Sequence, residues 1–109
     1  MSNDFYLGNP ANVVGYALLL SLIAKATGYT AKMLSMYLVD VHLYSNSFEQ
    51  MEELLTRTPG TLPTLTIKDV YDENGNMLTG IDLINNISPD DFVINDYNPQ
   101  KAIKVEMVV

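Results

Sequence analysis

The chain has 109 residues, with 6 lysines and arginines against 13 aspartates and glutamates, which gives a formal net charge of −7. This balance argues against binding to a nucleic-acid backbone, which depends on clustered basic residues. An apolar fraction of 48% is ordinary for a globular protein, so we expect a single α+β domain over residues 1–109. None of the 109 residues is a cysteine, which excludes disulfides, thiolate metal ligands and cysteine nucleophiles among them.

The first predicted element is a long apolar helix. Asn9 and Pro10 are typical of a helix start, because asparagine caps free amide groups and proline suits the first helical position. Residues 12–27 are apolar on almost every side, which predicts a helix that is buried all round, and Gly28 is a typical helix terminator. The apolar run at residues 13–24 is shorter than the ~20 residues that span a bilayer. With no secretory signal visible either, we expect a cytoplasmic protein that does not enter the membrane.

The next segment predicts a long strand with polar residues at one end. Residues 32–44 (KMLSMYLVDVHLY) are rich in strand-forming residues, and both faces begin apolar. A period of two places Asp40, His42 and Tyr44 on one face of this strand. His42 and Tyr44 would then be separated by about 6.6 to 7 Å along the strand, close enough for both to reach one ligand hydroxyl.

The remaining elements are predicted to be shorter. Residues 47–50 (SFEQ) form a capping-box pattern for a helix that runs on to the Pro-Gly pair at 59–60. Residues 64–70 predict a strand, and Asn-Gly at 74–75 favours a type I′ hairpin turn. Together the elements predict a mixed sheet packed on the buried first helix. Further short elements are predicted at residues 81–87 (one or two helical turns), 92–96 (a strand) and 102–109 (an alternating strand).

Three segments, in this order and spacing, resemble the thymidylate synthase family. Residues 4–12 with 15–19 resemble its D-x-F-L-G-x-P-F-N-I-A-S-Y-A-L-L stretch, and residues 40–46 (DVHLYSN) resemble G-D-x-H-L-Y-x-N-H. Residues 96–109 resemble the closing Y-x-P-H-P-x-I-K-x-x-M-A-V, and residues 62–65 (LPTL) stand where the family has L-P-x-L. The resemblance covers nearly the whole chain. It implies the C-terminal region of a thymidylate synthase-like fold, with the N-terminal catalytic part absent.

The resemblance implies a set of deoxyuridylate-binding residues. Asn12 matches an amide that hydrogen-bonds the uracil ring, at a position where related enzymes acting on cytosine nucleotides carry aspartate. His42 and Tyr44 match residues that bind a sugar hydroxyl, although a histidine in an apolar strand is also compatible with a core position. Asp40 and Asn46 are expected to support the site. The other residues matched to the nucleotide site are Asp4, Ser2 and Tyr97.

The resemblance also implies a folate site that is weakened in this sequence. Leu7, Gly8 and Val109 match positions that line the folate in the family. The family's phenylalanine is replaced by Ala11, which removes apolar contact area. Other departures from the family pattern are Val39 for glycine, Ser47 for histidine and Gln-Lys at 100–101 for His-Pro.

The family reaction requires a nucleophile that these residues do not include. A thiolate adds to C6 of uracil, so that C5 becomes nucleophilic towards the methylene of a tetrahydrofolate. Serine and threonine hydroxyls are poor substitutes near neutral pH, because covalent catalysis requires an activated nucleophile. We therefore expect no catalysis by the chain alone, with no cofactor of its own and no metal.

Two hypotheses stay open. In the first, the chain is the deoxyuridylate-binding piece of a split enzyme that transfers a methyl or hydroxymethyl group. A second polypeptide would then supply the cysteine, and only that assembly would use 5,10-methylenetetrahydrofolate. In the second, the chain is a non-catalytic homologue that docks onto a complete thymidylate synthase and inhibits or modulates it. A third possibility, without a function of its own, is an expressed fragment or the product of a decayed gene. Its core would be incomplete and would leave residues 13–24 uncovered, so we expect an obligate partner or self-association.

Overall fold

The computed structural model of the chain describes residues 3–107, which form a mixed α and β structure. The prediction of a single mixed sheet is wrong for this part of the chain. Strand β1 (Asn3–Asp4) pairs in parallel with β2 (Val41–His42), and β3 (Thr64–Ile67) pairs antiparallel with β4 (Phe92–Asn95), so that two separate two-stranded sheets result. The helices are α1 (Gly8–Thr27), α2 (Phe48–Thr56) and α3 (Gly80–Asn86).

Helix α1 forms as predicted but is mostly exposed. It begins at Gly8, with Leu7 at the N-cap position, so Asn9 lies inside the helix and does not cap it. Gly28 ends the helix at a φ of 75°, the left-handed conformation that glycine adopts most easily. Ala24 and Ala26 are the only buried residues of the helix. The expectation of a helix buried all round is therefore wrong, because little more than α3, β1 and β3 packs against α1.

The 20 residues of α1 also reach the length and apolar composition of a membrane-spanning helix. The shorter run at residues 13–24 does not, which is why the sequence did not predict it. Length and composition alone are weak evidence here, since core helices of soluble proteins pass the same test.

The long strand predicted over residues 32–44 does not form. Its only ladder is Val41–His42, and within the described part of the chain residues 30–39 make no backbone–backbone hydrogen bond. Asp40, at a φ of 52°, takes a left-handed conformation directly before β2. A strand needs a hydrogen-bonded neighbour, and none stands beside residues 30–39. The strand predicted at 102–109 is likewise not formed over 102–107, and residues 108–109 lie outside the described part.

The start of α2 differs from the predicted capping box. Ser47 occupies the N-cap position, but its side chain makes no capping hydrogen bond. Its hydroxyl donates instead to Oδ1 of Asn46 at 3.3 Å. The helix ends at Thr56, a turn earlier than the Pro-Gly pair at 59–60 indicated.

The turn at Gly75 is also of another type. The Gly75 amide donates to the Asp72 carbonyl at 3.0 Å, and Gly75 has a φ of 80°, whereas Asn74 does not have a positive φ. A type I′ turn requires positive φ at both central residues, so this is a type I turn followed by a left-handed glycine. Strand β3 is shorter than the predicted 64–70. Helix α3 and strand β4 confirm the predictions at 81–87 and 92–96.

The chain is elongated and has a thin core. It measures 55 × 30 × 27 Å with a radius of gyration of 17.6 Å, against about 13 Å for a compact domain of this length. Its accessible surface is 8772 Å², whereas a compact monomer of 12.1 kDa exposes roughly 6,000 Å². Among the residues described, Leu83 of α3 is the one large side chain that is fully buried. The packing between α1 and α3 is therefore the centre of what core exists.

Candidate functional site

Most of the predicted site residues lie around one cavity, called the main cavity below. It has a volume of about 340 Å³ and is formed by the start of α1, the segment that follows β2, and residues 106–107. Its lining consists of Asp4, Leu7, Gly8, Asn12, His42, Tyr44, Asn46, Ser47, Glu106 and Met107.

Strand β1 brings the two halves of the main cavity together. Its register places Asp4 opposite His42, and the Phe5 amide donates to the His42 carbonyl at 2.9 Å. The chain then turns into α1, and Oδ1 of Asp4 accepts the amide of Tyr6 at 3.2 Å. Asp4 therefore stabilises the turn into α1 as well as lining the cavity. Asn12 follows one helical turn after the start of α1, on the side that faces the cavity.

His42 and Tyr44 form a paired aromatic wall. Their ring centroids are 5.2 Å apart with an interplanar angle of 89°, an edge-to-face contact. Nδ1 of His42 lies 3.0 Å from the Asp40 carbonyl. Because a carbonyl oxygen only accepts, Nδ1 carries the proton, and the neutral ring offers Nε2 as a hydrogen-bond acceptor.

Asp40 contributes through its backbone. Its carbonyl accepts both the Asn3 amide, at 3.1 Å, and Nδ1 of His42. This one oxygen therefore both holds β1 in place and orients the imidazole ring of His42. The role of Asp40 as a supporting residue of a nucleotide site stays a prediction.

Asn46 connects the main cavity to the C-terminal segment. Its Nδ2 donates to the Glu106 carbonyl at 3.0 Å, across 60 residues of chain, and Ser47, which is only 3% exposed, donates to its Oδ1. Glu106 is a lining residue that the sequence analysis missed. No local pattern signals it, because its place in the cavity depends on a contact between distant segments. The resemblance of residues 96–109 to the closing segment of the family includes Met107, but it did not indicate that Met107 lies beside Asn46 in this cavity.

Within the described residues, two of the predicted site residues, Asp40 and Tyr97, do not line the main cavity. Tyr97 is 64% exposed and is not part of the lining. Ser2 and Val109 lie outside the described residues. Their assigned roles, like the nucleotide and folate roles of the lining residues, stay predictions.

The lining of the main cavity includes two acidic residues, Asp4 and Glu106, and no lysine or arginine occurs among the described lining residues. Negative charge on these residues disfavours an anion in the cavity. Residues 3–107 also contain no cluster of three or more histidines and carboxylates that could hold a metal ion. The described lining therefore offers hydrogen-bonding groups and no cation.

Comparison with known proteins identifies the family. The model of the thymidylate synthase family matches residues 1–109. A thymidylate synthase of Pseudomonas syringae pv. tomato is 36% identical over 111 residues, covering 99% of this chain and 34% of that protein. The crystal structure of thymidylate synthase from T4 phage matches with a TM-score of 0.81 at 32% identity, covering 99% of this chain and 38% of that one. The chain thus spans about a third of the length of these relatives, and it belongs to the thymidylate synthase family.

Proposed function

We propose that the chain forms one side of a deoxyuridylate-binding site in a thymidylate synthase-type enzyme, and that it is inactive until further polypeptide supplies the nucleophile. The observation that carries the proposal is the convergence of Asp4, Asn12, His42 and Tyr44 on one cavity. Its volume of about 340 Å³ falls at the lower end of the range of roughly 300–1,000 Å³ for small-molecule sites.

The hydrogen-bonding groups of the cavity suit a uracil deoxynucleotide. The amide of Asn12 can accept from N3–H of uracil and donate to O4, because it carries both kinds of group. The sugar of deoxyuridylate has one free hydroxyl, at the 3′ carbon. That hydroxyl can donate to Nε2 of His42 and accept from the hydroxyl of Tyr44, so the aromatic wall would recognise the sugar from two sides.

The missing chemistry defines what the completing polypeptide has to contain. Addition to C6 of uracil requires a thiolate, and none of the 109 residues is a cysteine. The phosphate requires cations to offset the carboxylates of Asp4 and Glu106. We therefore assign the thiolate and the phosphate-binding cations to that polypeptide. The product of the assembly would be a 5-methyl or a 5-hydroxymethyl deoxyuridylate.

The residues present fit only one edge of a folate. Leu7 and Gly8 line the main cavity, whereas Ala11 has no bulk to extend that apolar wall. The one-carbon donor, 5,10-methylenetetrahydrofolate, would therefore be held mainly by the completing polypeptide.

The exposed surface supports an obligate partner. The chain exposes nearly 3,000 Å² more than a compact monomer of its mass, well above the ~800 Å² that each partner buries in a standard interface. Part of this exposed surface is apolar, since Val13, Tyr16 and Leu19 are exposed on the outward face of α1. The same observation favours the second candidate, a non-catalytic homologue that docks onto a complete thymidylate synthase and modulates it.

Titrations with deoxyuridine and deoxyuridylate, which differ by the phosphate, test the proposal. With the chain alone, followed by NMR of labelled side chains, we expect deoxyuridine to bind weakly and deoxyuridylate no better, because the cavity walls are acidic. With the completed assembly, deoxyuridylate should bind far more tightly than deoxyuridine. Deoxycytidylate serves as the matched control ligand, since Asn12 should disfavour it in both cases.

The proposal fails if neither ligand perturbs Asn12, His42 or Tyr44 in the chain or in the assembly. The identity of the partner separates the two candidates. A partner that contains a catalytic cysteine and lacks the region homologous to this chain supports the split enzyme. A complete thymidylate synthase, with activity that changes when this chain is added, supports the modulator.

A further inference from the structure

We propose that Asn46 is a positioning residue, whose side-chain amide holds residues 106–107 in place as the third wall of the main cavity. This inference rests on the proposed function in one respect, that the wall surrounds a bound deoxynucleotide. The hydrogen bond itself is a property of the chain and can be tested separately.

The C-terminal segment depends on side chains for its position. Within the described residues, 97–107 form no helix or strand and no backbone–backbone hydrogen bond. Two side-chain bonds fix its first part near the end of α2: Gln100 Nε2 donates to the Thr58 carbonyl at 2.7 Å, and Arg57 donates to the Lys101 carbonyl. Farther along, the bond from Asn46 to the Glu106 carbonyl is the one that lies at the cavity.

The orientation of the Asn46 amide is set from its other end. Ser47 is almost completely buried, and its hydroxyl donates to Oδ1 of Asn46 at 3.3 Å. With Oδ1 accepting this bond, the donor group Nδ2 faces the Glu106 carbonyl. An aspartate at this position would place a second acceptor against that carbonyl, which would repel it instead of binding it.

The same short segment also carries the residue proposed to contact the sugar. Asn46 lies in the 3-10 turn Ser45–Ser47, which begins directly after Tyr44. The Ser47 amide donates to the Tyr44 carbonyl at 2.9 Å. The wall made by Glu106 and Met107 is thereby fixed relative to the aromatic wall. Loss of the Asn46 bond should leave the other two walls intact and release only the third.

The hydrogen bond from Asn46 to the Glu106 carbonyl is called the clamp below. A distance measurement tests directly whether it holds the C-terminal segment in place. The chain has no cysteine, so spin labels can be attached at Gly15→Cys and Lys104→Cys without a background. Gly15 lies on α1, and a Cβ added there meets no atom within 4 Å, while Lys104 is exposed in the C-terminal segment. We expect a narrow distance distribution that broadens and lengthens in Asn46→Ala and more so in Asn46→Asp.

The matched control is Asn86→Ala. Asn86 Nδ2 donates to the Asp82 carbonyl at 2.8 Å, a bond of the same chemical kind that lies on α3, away from the cavity. This variant should leave the label distance unchanged. The far-UV circular dichroism of every variant should match the wild type, which separates release of the segment from unfolding.

The binding readout connects the clamp to the ligand. Without the third wall, deoxyuridine binding to the chain, or deoxyuridylate binding to the assembly, should weaken roughly 2- to 12-fold, the effect of one neutral hydrogen bond. An unchanged distance distribution in both Asn46 variants, or an equal change in Asn86→Ala, overturns the proposal. A released segment combined with no nucleotide binding by any form would instead retain the clamp and refute the proposed function.

Discussion

Two substitutions of His42 should each remove one of its two hydrogen bonds, either the bond to the Asp40 carbonyl or the proposed bond to the sugar. Asparagine places an amide near the position of Nδ1, where it can still donate to the Asp40 carbonyl, but it offers no acceptor at the position of Nε2. Glutamine does the reverse, since its longer side chain brings an amide oxygen near the position of Nε2. His42→Asn should therefore lose the sugar contact, and His42→Gln the link to Asp40.

The expected magnitudes follow from the bond that each variant keeps. One neutral hydrogen bond contributes a net ~0.5–1.5 kcal/mol, which corresponds to roughly a 2- to 12-fold change in affinity. His42→Asn should weaken deoxyuridylate binding by this factor with little effect on stability. His42→Gln should bind nearly as well as the wild type but lose about 1 kcal/mol of unfolding free energy, because the Asp40 carbonyl then keeps only its bond to Asn3.

Calorimetric titration of the completed assembly with deoxyuridylate and its 3′-deoxy analogue provides the assay. The wild type should prefer deoxyuridylate, and the preference should shrink in His42→Asn and persist in His42→Gln. Tyr44→Phe removes the second proposed sugar contact and retains the aromatic ring, so it should also reduce the preference for deoxyuridylate. Equal wild-type affinities for the two ligands would refute the assignment of this wall to the sugar.

Three further predictions concern other parts of the structure. Asn12→Asp should reverse the preference of the assembly for uracil over cytosine nucleotides by at least about tenfold, which competition between deoxyuridylate and deoxycytidylate measures. Leu83→Ala should lower the free energy of unfolding by about 2–5 kcal/mol, whereas the exposed Ile81→Ala should cost less than about 1 kcal/mol, as urea titration will show. Hydrogen bonds from Ser88 lower the pKa of Asp91 below its ordinary value of 3.8. Their contribution to the free energy of unfolding is therefore present above pH 3.8 and is lost as the pH falls through the lowered pKa. Ser88→Ala should raise the pKa of Asp91 in an NMR titration and weaken this loss of stability in acid.

The sequence predicted best those features that are determined within a few residues. Gly28 ends α1 because no other residue adopts a left-handed conformation so easily. The bounds of α3 and β4 follow from short apolar patterns beside turn residues. In these cases the cause and the effect are neighbours in the chain, so a window of ten residues contains the information.

The features that were predicted wrongly depend on distant partners. Residues 32–44 have the composition of a strand, but outside Val41–His42 their backbone groups lack a partner strand among residues 3–107. The capping box failed for a related reason, since the hydroxyl of Ser47 bonds to Asn46, which in turn holds Glu106 from the other end of the chain. The resemblance to the family pointed to Asn12, His42 and Tyr44 as site residues, but it did not indicate that Glu106 lines the same cavity.

The candidate site persists where the wider sheet does not, because it is held by contacts made inside the chain. Two residue pairs between β1 and β2, together with the double acceptor at the Asp40 carbonyl, align Asp4 with His42 and orient the imidazole. Neither residues 30–39 nor the outward face of α1 takes part in these bonds. These hydrogen-bonding groups are therefore preorganised within the chain itself. In the proposed assembly, the thiolate and the cations should be added without reshaping this part of the cavity, so the relative positions of Asn12, His42 and Tyr44 should be the same in the chain alone and in the assembly.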